Sequence, residues 1–225
     1  MSDDEKYSEL GNDTIHTKLI AAKEKWARER RLITGQTDDA HVNRLPPGQQ
    51  EVKNWPVLDL GIQPEVPKGE WKLVVDGLVE SPTSLSFEQF MALPQTEIVS
   101  DIHCVTRWSR YENMWQGLSS RVLIGLVRPK AEAGHVIFHG YDGYTTNVGR
   151  DVFAAADVIL ATMWEGYPLT RNHGGPVRVV IPHYYFWKSA KWIKRIEFSR
   201  DDKPGFWEVR GYHNVGDPWK EERYE

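Results

Sequence analysis

With a single cysteine, Cys104, this chain of 225 residues cannot close an intrachain disulfide or build a multi-cysteine zinc site. A haem attached through CxxCH is excluded for the same reason. Basic charge is not in excess: 28 Lys and Arg stand against 32 Asp and Glu, a formal charge of −4. That balance gives no electrostatic footprint for nucleic acid or for an anionic membrane surface. No apolar run is long enough to span a bilayer, and Met1–Lys6 is polar and acidic, unlike a secretory signal. The expected compartment is the cytoplasm. Glycine-rich nucleotide loops are missing too, since neither GxGxxG nor GxxxxGK[ST] occurs.

What the chain has in quantity is aromatic. Ten Trp and nine Tyr combine large apolar bodies with polar handles, suited to a rigid core, a ligand pocket, or both. The polar stretch 1–13 reads as a disordered tail. Segment 14–44 reads as a helix and an arm. Ile15, Leu19, Ala22, Trp26 and Arg30 recur at helical spacing across Thr14–Arg31, and Gly35 follows. Residues 45–225 form the main domain.

Within that domain, Trp71–Val75 and Leu78–Val79 flank Asp76-Gly77, which predicts a hairpin or a sharp bend. Ser86 and Gln89 offer a capping box for a short helix through Phe90 and Met91, stopped before Pro94. Ile98–Val105 reads as extended, with Cys104 at the strand end. Ser120–Val127 reads as a short buried helix ended by Pro129. Strands are expected at His135–His139, Asp157–Trp164, Val177–Ile181 and Trp192–Phe198, with a turn at Glu165-Gly166. Strands and short helices mix without a βαβ rhythm, so the predicted class is α+β with mixed sheets, not a doubly wound sheet.

Two stretches hold the candidate chemistry. Cys104 lies among polar and cationic neighbours, Arg107 and Arg110, a setting that favours the thiolate form. On spacing alone it reads first as a small buried hydrophobe. The second stretch runs from His173-Gly174-Gly175-Pro176-Val177-Arg178 to Lys188-Ser189-Ala190-Lys191-Trp192. Paired glycines allow close backbone approach. Arg178 supplies a guanidinium fork, Ser189 a hydroxyl, and Lys188 and Lys191 supply ammonium groups. Those groups suit a phosphorylated aromatic ligand, or else form a solvated basic loop around a Trp-rich core.

Together with Pro46-Pro47-Gly48-Gln49, Phe138–Tyr144 and Pro204–Asn214, these stretches resemble the molybdopterin-binding domain of the sulfite oxidase family. The resemblance spans about Leu45 to Tyr224 and is nearest to the stand-alone bacterial sulfite oxidase-like oxidoreductases. It implies a molybdenum-molybdopterin cofactor and a sulfite oxidase-type fold. It implies two-electron oxo transfer as molybdenum cycles between Mo(VI) and Mo(IV): oxidation of a sulfite-like substrate, or reduction of an S- or N-oxide. Cys104 takes the place of the metal-ligating thiolate, apt for a sulfur-rich site. His173 and Arg178 take the place of cofactor contacts, and Lys188, Ser189 and Lys191 close around pterin and phosphate. His139 and Tyr144 fall where relatives line the pocket, and Asn54 falls on the capping arm. Tyr144 is expected to donate to the transferred oxygen, with Arg107 offsetting substrate charge.

The chain departs from sulfite oxidases after the cysteine. Their run ends in paired arginines; here it is Val105-Thr106-Arg107-Trp108-Ser109-Arg110, which puts sulfite itself in doubt. No cytochrome b5-like segment is present, so electrons are expected to come and go through a separate redox partner. Other readings fit less well. A zinc site drawing on His103, Cys104, His135 and His139 fails on spacing, because His135 and His139 on one strand stand about 13 Å apart. A cysteine hydrolase leaves the Lys, Arg and aromatic cluster without a role. A non-catalytic molybdopterin carrier would keep His173, Arg178 and Lys191 without needing Cys104 on the metal.

Overall fold

The computed structural model describes residues 44–225 together with Ile20, Ala21 and Glu24. Those three are helical, but the remainder of the 14–31 helix and the tail over 1–13 lie outside the described residues. In chain order the strands are β1 (Gln50–Glu51), β2 (Lys72–Gly77), β3 (Thr83–Ser86), β4 (Gln95–His103), β5 (Trp108–Ser119), β6 (His135–Gly140), β7 (Thr145–Gly149), β8 (Ile159–Trp164), β9 (Tyr167–Pro168), β10 (Arg178–Val180) and β11 (Ile193–Ser199). Three short helices join them: α1 (Phe87–Ala92), α2 (Ser120–Val127) and α3 (Arg150–Phe153).

Two sheets result. One follows the path β1-β5-β8-β10, with β4 also on β5 and β9 on β8. The other has the order β3-β2-β11-β6-β7. Pairing is antiparallel except for β1 with β5 and β2 with β11. This is the mixed α+β architecture expected. Alternation sets each face: in β2, Leu73 and Val75 are buried while Lys72 and Val74 face outward. The wholly buried Trp71, Trp115 and Trp192 anchor the core, and the Trp71 indole donates to the Ile193 carbonyl at 3.0 Å, tying the start of β2 to the start of its parallel neighbour β11.

Local signals explain the helices. Ser86 and Gln89 form the capping box of α1, with Phe90 buried beneath it. Ser119 caps α2, whose Leu123 and Val127 are buried. The hairpin at Glu165-Gly166 forms with both residues at positive φ, joining β8 to β9. Of the two expectations at Asp76-Gly77, a hairpin or a sharp bend, the structure has the bend. β2 runs through Asp76, and Gly77 (φ +83) bends the chain against the Phe198 backbone. The strand that returns along β2 is β3, paired from Lys72↔Ser86 to Val75↔Thr83. The longest strand, β5, was not visible in the sequence because Arg110, Glu112 and Asn113 interrupt its apolar alternation.

These elements place the candidate chemistry. β4 ends at His103, the chain reverses over Cys104–Arg107, and β5 starts at Trp108. The Cys104 N–H donates to the Trp108 carbonyl (2.8 Å) and the Arg107 N–H to the Cys104 carbonyl (2.9 Å). Arg107 sits at φ 74 in this turn. The stretch from Arg171 to Trp192 passes from the first sheet through β10 to the second at β11.

Candidate active site

A cavity of about 770 Å³, counted out to its solvent-facing mouth, brings together the Cys104 turn, the arm around Trp55, the β6–β7 turn and the His173–Lys191 stretch. Cys104, Tyr144, His173, Arg178, Ser189 and Lys191 all line it. Residues 74 apart in sequence thus share one wall.

Cys104 is buried, with Sγ 3.2 Å from the Thr106 hydroxyl. The Gln49 amide donates to the Cys104 carbonyl at 3.0 Å, so the segment before β1 fixes the turn from outside. Neighbouring His103 is also buried, with Nδ1 2.8 Å from the Ser109 hydroxyl. Among the described residues no group of three or more His, Cys, Asp and Glu is arranged to hold a metal ion. A metal at Cys104 would therefore take most of its ligands from elsewhere.

Arg178 is 2% exposed and forms no ion pair with a described residue. Its guanidinium instead donates to the carbonyls of His173 and Ser189, each at 2.9 Å, and lies over the Phe186 ring at 4.3 Å. Burial pushes its pKa down to about 9. A buried cation met, among the described residues, only by carbonyls and aromatic faces is suited to a ligand that brings negative charge. His173 stacks on Trp55 with ring centroids 3.9 Å apart, and burial holds its pKa below the usual imidazole value. Ser189 donates no base chemistry; its hydroxyl accepts the Ile181 N–H at 3.0 Å. Lys191 donates to the Asn172 carbonyl (2.9 Å) and lies 3.8 Å from Asp59.

The glycines here are required by space. A Cβ on Gly174, already at φ +100, would come within 2.9 Å of Lys191 Cβ, and one on Gly175 would overlap the Leu169 carbonyl. The backbone therefore closes tightly beside Arg178 and Lys191. An anionic, flat ligand fits this donor set, and the Cys104 thiol offers one soft ligand to a metal it carries.

Four expected residues do not reach the cavity wall. Asn54 is exposed, and its neighbour Trp55 lines the cavity instead. His139 lies on β6 with Nε2 3.4 Å from Glu197 and 3.3 Å from Arg195, facing a charged cluster of the second sheet. Arg107 is half-buried, near Arg223 and Tyr224, and does not line the cavity. Lys188 is wholly buried in an ion pair with Glu208 at 2.6 Å, which leaves no ammonium group for a phosphate. Tyr144 does line the cavity, but its hydroxyl donates to the Trp187 carbonyl at 2.7 Å. That proton is not free for a substrate.

Other lining residues escaped the sequence reading. Tyr212 lines the cavity, is 2% exposed, and its hydroxyl makes no hydrogen bond to a described residue. Burial raises its pKa, with the nearby Tyr224 and Cys104 adding to the effect. The signal was present in Gly211-Tyr212-His213-Asn214, though nothing in the spacing linked it to Cys104. Asp59 and Asp142 also line the cavity; burial raises the Asp142 carboxyl to about 6. The aromatic group around Tyr212 is continuous, with Trp187 at 5.1 Å and Trp207 at 5.0 Å between ring centroids.

Residues 60–207 match the oxidoreductase molybdopterin binding domain. The chain belongs to that family. This family's members among the relatives include the uncharacterized oxidoreductase YuiH of Bacillus subtilis, 47% identical over 195 residues, covering 85% of this chain and 96% of that protein. Sulfite oxidase of Gallus gallus is 31% identical over 179 residues, covering 66% of this chain and 39% of the relative. The protein-methionine-sulfoxide reductase catalytic subunit MsrP of Campylobacter jejuni is 30% identical over 161 residues, covering 61% of this chain and 52% of the relative. The chain thus spans about half or less of the length of those last two. The sulfane dehydrogenase SoxCD from Paracoccus pantotrophus shares the fold, with a TM-score of 0.59 at 21% identity over 75% of this chain and 56% of that one. The molybdopterin oxidoreductase domain makes this chain an enzyme of the sulfite oxidase family, with molybdenum-molybdopterin as its cofactor.

Proposed function

We propose that the enzyme reduces a small neutral S-oxide or N-oxide by two electrons, delivered by a separate redox partner. One observation carries this reading: the lining residues grouped with Cys104 and Tyr212 are aromatic (Trp108, Trp187 and Trp207), whereas the lining cations Arg178 and Lys191 group around Gly174. An anion such as sulfite would meet no lining cation on the aromatic side, and burying an unpaired charge there is costly.

When bound, the cofactor supplies the oxo exchange and the Mo(VI)/Mo(IV) couple. The chain's own residues do the rest. Cys104 holds the metal, and Arg178, with His173, Ser189 and Lys191 beside it, holds the anionic part of the cofactor. The Tyr212 hydroxyl, without a hydrogen-bond partner among the described residues, donates a hydrogen bond to the oxygen of the substrate. The Trp wall keeps water from the reacting groups and strengthens that bond by lowering the local dielectric.

The test uses cofactor-loaded enzyme with dimethyl sulfoxide and reduced methyl viologen, set against sulfite and ferricyanide. Reduction of the sulfoxide with slow or undetectable sulfite oxidation is expected. Faster turnover of sulfite would overturn the neutral-substrate reading.

A further inference from the structure

Lys188 and Glu208 form the driest ion pair among the described residues, with side chains 0% and 1% exposed. Removing two charges from water is unfavourable, and an apolar pair of the same volume often serves stability as well. The Glu208 Oε2 atom is also buried without a partner. Neither feature is explained by packing alone.

The geometry around Oε1 supplies a reason. It lies 2.6 Å from Lys188 Nζ and accepts from the Thr146 hydroxyl at 2.8 Å and from the Trp187 indole N–H at 3.0 Å. Lys188 also donates to the Asn147 carbonyl and side-chain oxygen, at 3.0 and 2.9 Å. One carboxylate oxygen therefore joins β7, the turn Phe186–Lys188 and the turn Glu208–Arg210. The second turn ends with the Gly211 N–H on the Glu208 carbonyl (3.2 Å) and the Tyr212 N–H on the Trp207 carbonyl (3.1 Å). The Tyr212 ring then packs on Trp187 and Trp207, the first tied to Glu208 by its indole and the second adjacent in sequence.

We infer that Glu208, held by Lys188, is a positioning residue that fixes the Tyr212 hydroxyl within the cavity. The inference rests on the reading that Tyr212 donates to the substrate oxygen. In the reaction, the sulfoxide S–O bond breaks, two electrons arrive from two viologen radicals and two protons come from water, leaving a sulfide and one water. Glu208 touches none of the reacting atoms and acts only through the place it gives Tyr212.

The experiment is a double-mutant cycle in cofactor-loaded enzyme with dimethyl sulfoxide and reduced methyl viologen, using Glu208→Gln, Tyr212→Phe and both together. Glu208→Gln is expected to keep its molybdenum and lose about tenfold in kcat with KM changed less than about twofold, yet to lose less than about twofold more in the Tyr212→Phe background. Equal losses in both backgrounds, or no loss in either, would overturn the inference. If Glu208→Gln does not fold, Lys188→Met with Glu208→Leu provides an apolar pair that should fold and show the same non-additivity. Should wild-type enzyme with full molybdenum turn over neither sulfoxide nor sulfite, the functional reading has failed. Positioning is then read from the Tyr212 ring resonances, identified by their loss in Tyr212→Phe. They must move in Glu208→Gln; unmoved resonances contradict the inference.

Discussion

Two tyrosines line the cavity, and their hydroxyls do different things. Tyr144 spends its proton on the Trp187 carbonyl, whereas the Tyr212 hydroxyl has no hydrogen-bond partner among the described residues. Tyr144→Phe should therefore cost about 1–2 kcal/mol of stability, the usual consequence of leaving a buried carbonyl unpaired. Tyr212→Phe should leave the urea midpoint nearly unchanged while lowering kcat; denaturation curves and turnover on the same preparations distinguish the two. Asp142 adds a pH dependence. Its folded pKa, about 6, lies above the ordinary carboxylate value because burial disfavours the charge. Between pH 4 and 6 the folded form thus binds more protons than the unfolded form, so this group's contribution makes stability fall as pH rises. Wild type should lose more stability from pH 4.5 to 7 than Asp142→Asn, and equal losses would contradict the assignment. The sequence exposed the charged part of this site, because His173, Arg178 and Lys191 cluster within one stretch. It concealed Tyr212, because a free hydroxyl is recognised only when its neighbours in space are known.

At the scale of elements, the local signals that were legible are those with a short-range cause. The Ser86–Gln89 capping box, the breaker Pro129 after α2 and the paired positive-φ residues Glu165 and Gly166 each act within a few residues. Strand β5 was hidden because part of its stability comes from β8, far along the chain, in addition to its neighbour β4. Gly117 shows the tightness of that pairing: a Cβ there would overlap the Leu160 carbonyl of β8. Gly117→Ala should cost about 1–3 kcal/mol, the range of overpacked sites. Ser86→Ala should cost about 1 kcal/mol through the lost cap. Urea midpoints compare them directly, and a larger loss for Ser86→Ala would contradict the account of β5 as the hub of its sheet.

For the whole molecule, the two sheets supply separate parts of one cavity. The first brings Cys104 from the end of β4 and Arg178 from β10, and the second brings Tyr144 just before β7 and Lys191 just before β11. Cofactor binding should therefore stabilise both sheets together, since a ligand that binds only the folded state adds its binding free energy to folding. The central claim is that Cys104 holds the metal of a cofactor seated in this cavity. Metal and pterin content, with the visible absorption spectrum, should be measured on wild type and Cys104→Ser made in cells that synthesise molybdopterin. The account predicts stoichiometric molybdenum and pterin in wild type, with an absorption band that is lost or shifted in the variant. A variant with unchanged molybdenum content and an unchanged spectrum would contradict the role of Cys104.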